Sequence, residues 1–551
     1  VNYYPVLLED VKNKKFVLFL INVMVIITLY AYPGEVINKF KAPSKFSTGF
    51  TFDGKCLWVA DRGTDSLYKI DVKNGKIVKT LPAPAYWITG LAWDGKHLWA
   101  VDERGGIPKG DEFFAGQLYM IDTATGNILH TTTLPFSNPQ DIAYDGKYMW
   151  VIDAASNKLV KFNPFDGTSI LEFTAPAPGC TGLTFDGENI WIANNYRNEI
   201  YQVSPQDGNV IILTSSPNEY PRGMAYDGIY LWLVDSQTDT IYQMKKSDDD
   251  NFIRGKYRTA KLIFTQTAMN FGPGKATTID LYFAIPHSMD NQDIIGEVEF
   301  SINPTKILTD KWGQQIAYFH FDNVKAGEKV LVDMYVKAKM FDTRYFIYPD
   351  KVGFLNEIPK KLKDTYLVDD EKYDFNNPII RNALKEAIGN ETNVYKIVKG
   401  IYYYLHEKLY YERSGGWNTA PTVLERGNGS CSEYTFVFIS MCRAAGVPAR
   451  YVGSVVERGE SASMDEVFHR WVEVYLPNYG WIPVDPSGGD EALPADKARY
   501  FGFTGRRFLI TTTGGGNSEY LDWNYNGNIH FTTEPQTFIV TEAFGDWDTI
   551  D

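Results

Sequence analysis

The stretch FDGKCLWVAD (52–61) recurs four more times along the chain, as WDGKHLWAVD (93–102), YDGKYMWVID (144–153), FDGENIWIAN (185–194) and YDGIYLWLVD (226–235). The shared unit is aromatic-Asp-Gly-x-x-apolar-Trp-apolar, and its tryptophans are spaced by 41, 51, 41 and 41 residues. Each Asp-Gly pair predicts a turn between two strands, and the strand after it is apolar on both faces. A repeat of this length with hairpin signals predicts β-propeller blades.

Strand counting predicts how the propeller closes. Outer-strand segments such as KIVKTLPAP follow the first four units, whereas the fifth ends at IYQMKKSDDD without one. GEVINKFKAPSKF (34–46) supplies the missing strand, so we predict a five-bladed β-propeller over residues 33–247 with an insertion at 104–117. The blades resemble NHL-type and streptogramin-lyase-type propellers in repeat pattern. A propeller implies loops that bind a partner, here a protein or glycan ligand, and its periodic tryptophans are predicted to be core.

Composition and cysteine count exclude several classes of protein. A chain of 551 residues that is 44% hydrophobic and 22% charged predicts several globular domains. The net charge of -14 argues against a nucleic-acid partner. The four cysteines (Cys56, Cys180, Cys431 and Cys442) are too few for a disulfide framework. Because no ligand spacing for zinc or calcium is present, we predict neither a metal nor a cofactor.

An apolar run near the N-terminus predicts export. FVLFLINVMVIITLYAY (16–32) has 17 residues and follows three lysines. Positive charge before such a run predicts that everything after it is translocated. The run is slightly short for a span of about 20 residues, yet the small-x-small cleavage site after it is poor. Residues 1–32 are therefore a signal peptide or a membrane anchor, and either predicts an extracytoplasmic protein, secreted or held at the membrane.

The middle of the chain changes character after the charged linker KKSDDDN (245–251). Alternating apolar and polar runs follow, separated by turns rich in Gly, Pro and Asn, and they predict a β-sandwich over residues 256–345. Helical periodicity then appears in NVYKIVKGIYYYLHEKL (393–409), which predicts an α+β domain over 346–505. The tail 506–551 is predicted as a β extension that either covers a cleft in this domain or completes a sheet.

The segment GNGSCSEYTFVFISMCRAAGVPARYV (427–452) carries a candidate nucleophile. A glycine-rich loop precedes a helix that is predicted to begin at Cys431 and to end before Pro448. A thiol in the first turn of a buried helix meets unpaired N–H groups and the positive end of the helix dipole, which favour the thiolate. Cys442 lies deeper in the same helix and is predicted to be structural, and Glu433 is predicted to be a capping or surface carboxylate.

The segment FHRWVEVYLPNYGWIPVDPSGG (468–489) carries the groups that a cysteine nucleophile requires. Two predicted strands place His469 at the start of the first and Asp485 at the end of the second, as a base and the group that orients it. For both side chains to share a face, Asp485 should lie opposite Trp471, which requires an odd loop of five residues or a bulge. The catalytic candidates are Cys431, His469 and Asp485. The oxyanion-binding groups stay open between the Cys431 backbone N–H and upstream residues such as Trp417 or Asn418.

Together the segments GNGSCSEYTFVF, RAAGVPARYV and HRWVEVYLPNYGWIPVDPS resemble the transglutaminase-like superfamily, in its prokaryotic cysteine protease branch, over about residues 360–500. The resemblance implies a papain- or transglutaminase-like fold with Cys431 as nucleophile, His469 as base and acid, and Asp485 as orienting acid. It also implies a thioester intermediate and a peptide or protein substrate. Hydrolysis and cross-linking both fit, and we favour a peptidase or amidase. The alternative is an inactive surface protein that recognises partners through its propeller.

Overall fold

The computed structural model of the protein describes residues 32–104, 115–247, 251–413, 416–459 and 462–549. The predicted export segment up to residue 31, most of the insertion at 104–117 and part of the linker at 245–251 lie outside the described residues. Strands in several small sheets make up most of the regular structure, and the described helices all follow residue 348. None of the described helices is long and apolar enough to cross a membrane.

The repeated units, here called the repeat region, fold into five four-stranded antiparallel sheets. The strands are β1 (Val36–Lys41), β2 (Ser47–Phe52), β3 (Cys56–Asp61), β4 (Ser66–Asp71), β5 (Ile77–Pro82), β6 (Ile88–Trp93), β7 (Leu98–Asp102), β8 (Gln117–Ile121), β9 (Ile128–Thr133), β10 (Pro139–Tyr144), β11 (Met149–Asp153), β12 (Lys158–Phe162), β13 (Ser169–Thr174), β14 (Cys180–Phe185), β15 (Ile190–Asn194), β16 (Glu199–Val203), β17 (Val210–Ser215), β18 (Pro221–Tyr226), β19 (Tyr230–Asp235) and β20 (Thr240–Lys245).

Four sheets of the repeat region follow the chain as β2–β5, β6–β9, β10–β13 and β14–β17, and the fifth contains β18–β20. Strand β1 pairs with β20, with Lys39 opposite Tyr242, so the predicted N-terminal contribution to the fifth sheet is confirmed. The inner strands β2, β6, β10, β14 and β18 contact their neighbours in that order, and β18 also contacts β2.

Each Asp-Gly turn of the repeat region supports the tryptophan that follows it. Gly54 adopts a φ of +89°, which glycine tolerates. The carboxylate of Asp53 accepts the backbone N–H of Cys56 at 2.8 Å and the indole N–H of Trp58 at 2.9 Å. The same indole-to-carboxylate bond recurs in the other four units at 2.8 to 3.2 Å. All five tryptophans are at most 1% exposed, so their predicted role as core is confirmed.

Residues 252–345 supply strands to two sheets that share one apolar core. These strands are β21 (Phe252–Gly272), β22 (Ala276–Ala284), β23 (Gln292–Ile294), β24 (Glu299–Phe300), β25 (Lys306–Thr309), β26 (Gln315–Val324) and β27 (Lys329–Tyr345). In one sheet β21 pairs with β27, and in the other β22 pairs with β26. Phe264 of the first sheet packs edge-on against Phe283 of the second, with ring centroids 5.8 Å apart.

The α+β unit follows, beginning with two short 3-10 helices (Pro349–Lys351 and Leu355–Glu357). Its other elements are α1 (Lys360–Tyr366), α2 (Pro378–Ile388), α3 (Val394–Lys408), β28 (Tyr410–Tyr411), α4 (Ala420–Arg426), β29 (Asn428–Gly429), α5 (Cys431–Ala444), β30 (Ala449–Val456), β31 (Ala462–Asp465), β32 (His469–Leu476), β33 (Gly480–Val484), α6 (Pro494–Arg499), β34 (Phe503–Thr504) and β35 (Phe508–Gly514). Its main sheet has the order β33-β32-β30-β35. Helix α5 is buried from Ser432 to Arg443, as its apolar run predicts.

The tail contributes strands to three sheets instead of forming a unit of its own. Strand β35 pairs with β30 in the α+β unit. Two more strands, β36 (Gly527–Thr533) and β37 (Phe538–Thr549), pair with β22 and β21 of the two sandwich sheets. Strand β31 adds to the far edge of β37. Completion of a sheet, one of the two roles predicted for the tail, is observed.

Candidate active site

The nucleophile candidate lies in the first turn of helix α5. Cys431 is the first residue of the helix, and its side chain is partly exposed. Glu433, two residues on, is fully buried and accepts the backbone N–H of Ser430 at 3.1 Å, which caps the helix. Its carboxylate also accepts the N–H groups of Asn418 at 2.9 and 3.1 Å and a guanidinium N–H of Arg426 at 2.8 Å. Glu433 is therefore a buried cap that ties the cysteine loop to its neighbours, not a surface carboxylate.

The hairpin of β32 and β33 places the histidine and the aspartate on one face. Val472 lies opposite Val484, and one step further along this register Trp471 lies beside Asp485. The strands close at Leu476 and Gly480 around three residues, so the loop is odd-numbered as predicted, but it has three residues instead of the predicted five. Nε2 of His469 donates to Oδ2 of Asp485 at 2.6 Å. Nδ1 of the same ring is then the nitrogen available to the thiol.

The carboxylate of Asp485 is held by donors on its second oxygen. Oδ1 accepts the backbone N–H groups of Ser487 and Gly488 at 3.1 and 2.8 Å and the Ser487 hydroxyl at 2.9 Å. Burial alone would raise the pKa of Asp485, but the charge and hydrogen bond of His469 and these local donors outweigh it and lower the pKa. The carboxylate is therefore charged and fixed in orientation.

The thiol and the imidazole stabilise each other's charged forms. Burial opposes a thiolate at Cys431, yet the hydrogen bond and charge of His469 and the backbone N–H of Arg470 lower the pKa of the thiol. Burial also opposes an imidazolium at His469, yet Asp485 and Cys431 raise its pKa to about 10. These opposite shifts favour the thiolate and imidazolium form of the pair. The structure brings the three predicted residues Cys431, His469 and Asp485 together.

Aromatic rings that were not predicted surround the imidazole. Trp471 and Phe508 lie 5.8 and 5.6 Å from the His469 ring, measured between centroids. Tyr525 of the tail is buried near the thiolate, and burial followed by the charge of Cys431 raises its pKa. The tail carried an aromatic cluster in its sequence, but no periodic signal connected that cluster to the cysteine.

The same contacts reduce the number of candidates for the groups that would bind the oxyanion. Asn418 donates both its backbone N–H and its side-chain amide to Glu433, so these donors support the loop. Trp417 is 39% exposed and lies 6.4 Å from the Tyr525 ring, at the edge of the site. The backbone N–H of Cys431, in the first turn of helix α5, makes no hydrogen bond within the helix and stays the candidate donor.

A cysteine-nucleophile active site requires a thiol, a base beside it and a group that orients the base, and Cys431, His469 and Asp485 lie where they can supply these groups. Residues 381–486 match the family model of the transglutaminase-like superfamily. That range includes Cys431, His469 and Asp485. The protein therefore contains a transglutaminase-like domain, and the resemblance predicted from the sequence is confirmed.

Two curated relatives share part of the chain. The uncharacterized protein YebA of Bacillus subtilis is 35% identical over 77 residues, which are 12% of this chain and 10% of YebA. An uncharacterized protein of Haemophilus influenzae is 27% identical over 143 residues, which are 22% of this chain and 38% of that protein. The chain thus spans about a tenth and about two fifths of the relatives it matches.

Solved structures with partial likeness include a provisionally assigned cysteine protease of Cytophaga hutchinsonii, with 12% identity and a TM-score of 0.37, over 54% of this chain and 100% of that chain. Virginiamycin B lyase of Staphylococcus aureus has 16% identity and a TM-score of 0.27, over 38% of this chain and 98% of the lyase. Glutaminyl cyclase of Myxococcus xanthus has 13% identity and a TM-score of 0.34, over 40% and 99% of the two chains.

Proposed function

We propose that the protein is a thiol-dependent acyl-transfer enzyme that acts on peptide or protein amides through Cys431, His469 and Asp485. The observation that carries the proposal is the shared imidazole: His469 donates to Asp485 at 2.6 Å and hydrogen-bonds the Cys431 sulfur. A cysteine in a structural role has no need of this arrangement. The transglutaminase-like domain supports the same chemistry.

The reaction follows from the charges of these three groups. The Cys431 thiolate attacks the amide carbonyl carbon, and the oxygen takes the negative charge of a tetrahedral intermediate. The His469 imidazolium donates its proton to the departing nitrogen, so an amine or ammonia leaves and a thioester forms. The neutral imidazole then takes a proton from the acceptor, which attacks the thioester and releases the thiolate. Asp485 stabilises the imidazolium whenever it forms.

The acceptor decides between hydrolysis and cross-linking. Water needs no second binding site, so we favour a peptidase or amidase over an enzyme that transfers the acyl group to lysine. Mass spectrometry of peptide mixtures incubated with the wild type and with Cys431→Ala separates the outcomes. New peptide termini indicate proteolysis, conversion of glutamine to glutamate indicates deamidation, and a glutamine-lysine bond indicates transfer. Identical products from both proteins would refute the proposal.

A second candidate is a surface protein that binds partners without catalysis. It is favoured by exposed aromatic side chains in the loops of the repeat region, where Phe46, Tyr86 and Tyr196 are 62%, 75% and 76% exposed. Labelling with iodoacetamide distinguishes the two candidates. Rapid labelling of Cys431 at neutral pH supports an enzyme, whereas labelling as slow as that of buried Cys442 supports a binding protein.

The proposal also includes the architecture of the repeat region and the location of the protein. The ring of contacts between inner strands, with β18 against β2, supports a closed five-bladed propeller. The propeller is proposed to bind a protein or glycan ligand. The apolar run at 16–32 and the lysines before it support an extracytoplasmic location, secreted or anchored at the membrane.

A further inference from the structure

Asp485 begins a segment that leaves the α+β sheet and returns to it. We call residues 486–499 the strap. The backbone N–H of Asp485 donates to the carbonyl of Tyr500 at 2.9 Å, which closes the base of the strap. Within the strap, Ser487 and Gly488 donate to the Asp485 carboxylate, as described above. The strap therefore supplies the donors that orient the carboxylate.

The far end of the strap is helix α6, which packs on the fourth sheet of the repeat region. Ala495 and Ala498 are 0% and 6% exposed and belong to the same apolar cluster as Leu213 of β17. The backbone N–H of Ala495 donates to the carbonyl of Pro176 at 3.0 Å. The alanine face of this short helix is thus part of the core of the repeat region.

Two ion pairs flank the buried alanines. Arg197 makes two hydrogen bonds to the carboxylate of Asp496, one of them 3.0 Å long between Nη2 and Oδ2. Arg499 donates to Glu199 at 2.6 Å, and Glu199 also accepts the hydroxyl of Tyr201 at 2.7 Å. The side chains of both pairs are between 11% and 31% exposed. Paired guanidinium-carboxylate contacts with this burial fix orientation as well as distance.

We propose that Arg197 and Glu199 of the repeat region are positioning residues that hold the strap and thereby hold Asp485 against His469. The repeat region would then be a structural part of the active site. The inference rests on the proposed function, because it gives the propeller a role in the same reaction. Catalytic groups tolerate displacements of only about 0.5 Å, and the strap connects α6 to the N–H groups that hold Asp485.

The effect of these residues is expected at the sulfur, through the imidazole. A misplaced Asp485 stabilises the His469 imidazolium less, so the thiolate loses part of its counter-charge and the pKa of Cys431 rises. A purely structural interface would change stability without moving this pKa. Iodoacetamide reacts with the thiolate, so its rate with Cys431 across pH reports the pKa without any knowledge of the substrate.

The test uses the full chain and follows alkylation of Cys431 by peptide mass spectrometry between about pH 4 and 9. The alkylation midpoint is the pH at which Cys431 reacts at half its maximal rate. Arg197→Ala and the milder Asp496→Asn are expected to raise this midpoint by about one pH unit, so that alkylation below the midpoint is roughly tenfold slower. The double variant Arg197→Asp with Asp496→Arg exchanges the two charges, and it is expected to bring the alkylation midpoint part of the way back to that of the wild type. Lys158→Ala, which removes an exposed ion pair with Glu172 on the third sheet, is the matched control.

The outcomes separate the two proposals. Folded Arg197→Ala and Asp496→Asn proteins with the wild-type alkylation profile would overturn the positioning role. If Arg197→Ala does not fold, Asp496→Asn decides alone, because it keeps the packing of α6. The wild type could show a low alkylation midpoint that the variants raise, and yet cleave no amide. That result would refute the proposed function and leave the positioning role in place.

Discussion

At the scale of single residues, the two cysteines of helix α5 show what sets the charge of a thiol. Burial raises the pKa of both sulfurs. Cys442 has no imidazole and its pKa rises far above the ordinary value. Cys431 has His469 beside it, and its pKa is lowered. At Cys431 the imidazole, together with the backbone N–H of Arg470, therefore outweighs burial, whereas nothing comparable acts on Cys442.

Replacement of Asp485 by asparagine tests this charge balance. Asp485→Asn keeps the size of the side chain but removes the charge that stabilises the imidazolium, so the pKa of His469 should fall and that of Cys431 should rise. We expect kcat/KM to fall by about two orders of magnitude or more. The control is Asp364→Asn, the same change on the exposed helix α1, where the carboxylate pairs with Lys360 at 2.6 Å. Equal losses in both variants would contradict the role of Asp485.

The pH dependence of activity follows from the same shifts. The thiolate forms above the lowered pKa of Cys431, and the imidazolium persists until pH rises through the His469 pKa of about 10. Because the folded protein raises the pKa of His469, the imidazolium contributes its full share to folding stability below the ordinary histidine pKa near 6.5. This contribution is lost as pH rises through about 10. We expect a broad plateau of kcat/KM with an alkaline limb near 10. An alkaline limb near pH 6 to 7 would show that Asp485 does not hold the imidazole.

Sequence reasoning at the residue scale found the groups whose chemistry is fixed by type and order. Cys431, His469 and Asp485 each stand at the end of an element, where a side chain can reach a neighbour. Phe508 also lies against the imidazole, but it comes from the tail. An apolar ring in a strand has many possible partners, so its contact with His469 depends on tertiary structure that no local pattern encodes.

At the scale of elements, one carboxylate joins the inner strands of the repeat region. The spacing of the units aligns Asp141 with a glycine in each of the other four. A Cβ at any of these four glycines, Gly49, Gly90, Gly182 and Gly223, would clash with a neighbouring inner strand. The Asp141 carboxylate is fully buried and accepts the backbone N–H groups of Leu91 and Leu183 at 3.2 and 2.8 Å. It thus links β10 to β6 and β14.

Asp141→Gly should weaken the repeat region although it restores the residue type of the other units. The buried N–H groups of Leu91, Ile142 and Leu183 lose their acceptor at about 1 to 3 kcal/mol each, and relief of the buried carboxyl offsets part of this. We expect a loss of about 1 to 4 kcal/mol, measured by urea unfolding followed by tryptophan fluorescence. Amide exchange at Leu183 should accelerate as well. Glu188→Gly, on an exposed turn, should change neither measurement, and unchanged exchange in Asp141→Gly would contradict the linking role.

Strand positions in the repeat region were predictable because their signals are local. The Asp-Gly turn, the strand after it and the N-terminal outer strand β1 all follow from spacing and apolar pattern. The odd loop of the β32–β33 hairpin followed from the requirement that two side chains share a face. The position of Asp141 in the repeat was visible too, but its bonds were not, because they depend on how closely separate sheets approach.

At the scale of the whole molecule, the tail could be predicted as strand but not assigned to a sheet. Strands β36 and β37 have ordinary alternating patterns, and their partners β22 and β21 lie more than 200 residues earlier. Pairing over such a distance is chosen by the shape of the whole core and not by local propensity. The tail therefore ties the sandwich to the α+β unit, because β31 of that unit pairs with β37.

Trp547 tests this tie, because it lies where β37 joins the two units. It is fully buried, and its backbone lies between Leu262 of β21 and Ser463 of β31. Trp547→Ala should cost about 3 to 5 kcal/mol through the cavity it leaves. Trp547→Phe should cost less, because the indole N–H has no partner among the described residues and only packing is lost.

Strand β31 ends four residues before His469, so the alanine variant should also slow alkylation of Cys431. Unfolding by urea and alkylation at pH 7 measure the two effects, and loss of stability without slower alkylation would show that the tail supports the sandwich alone.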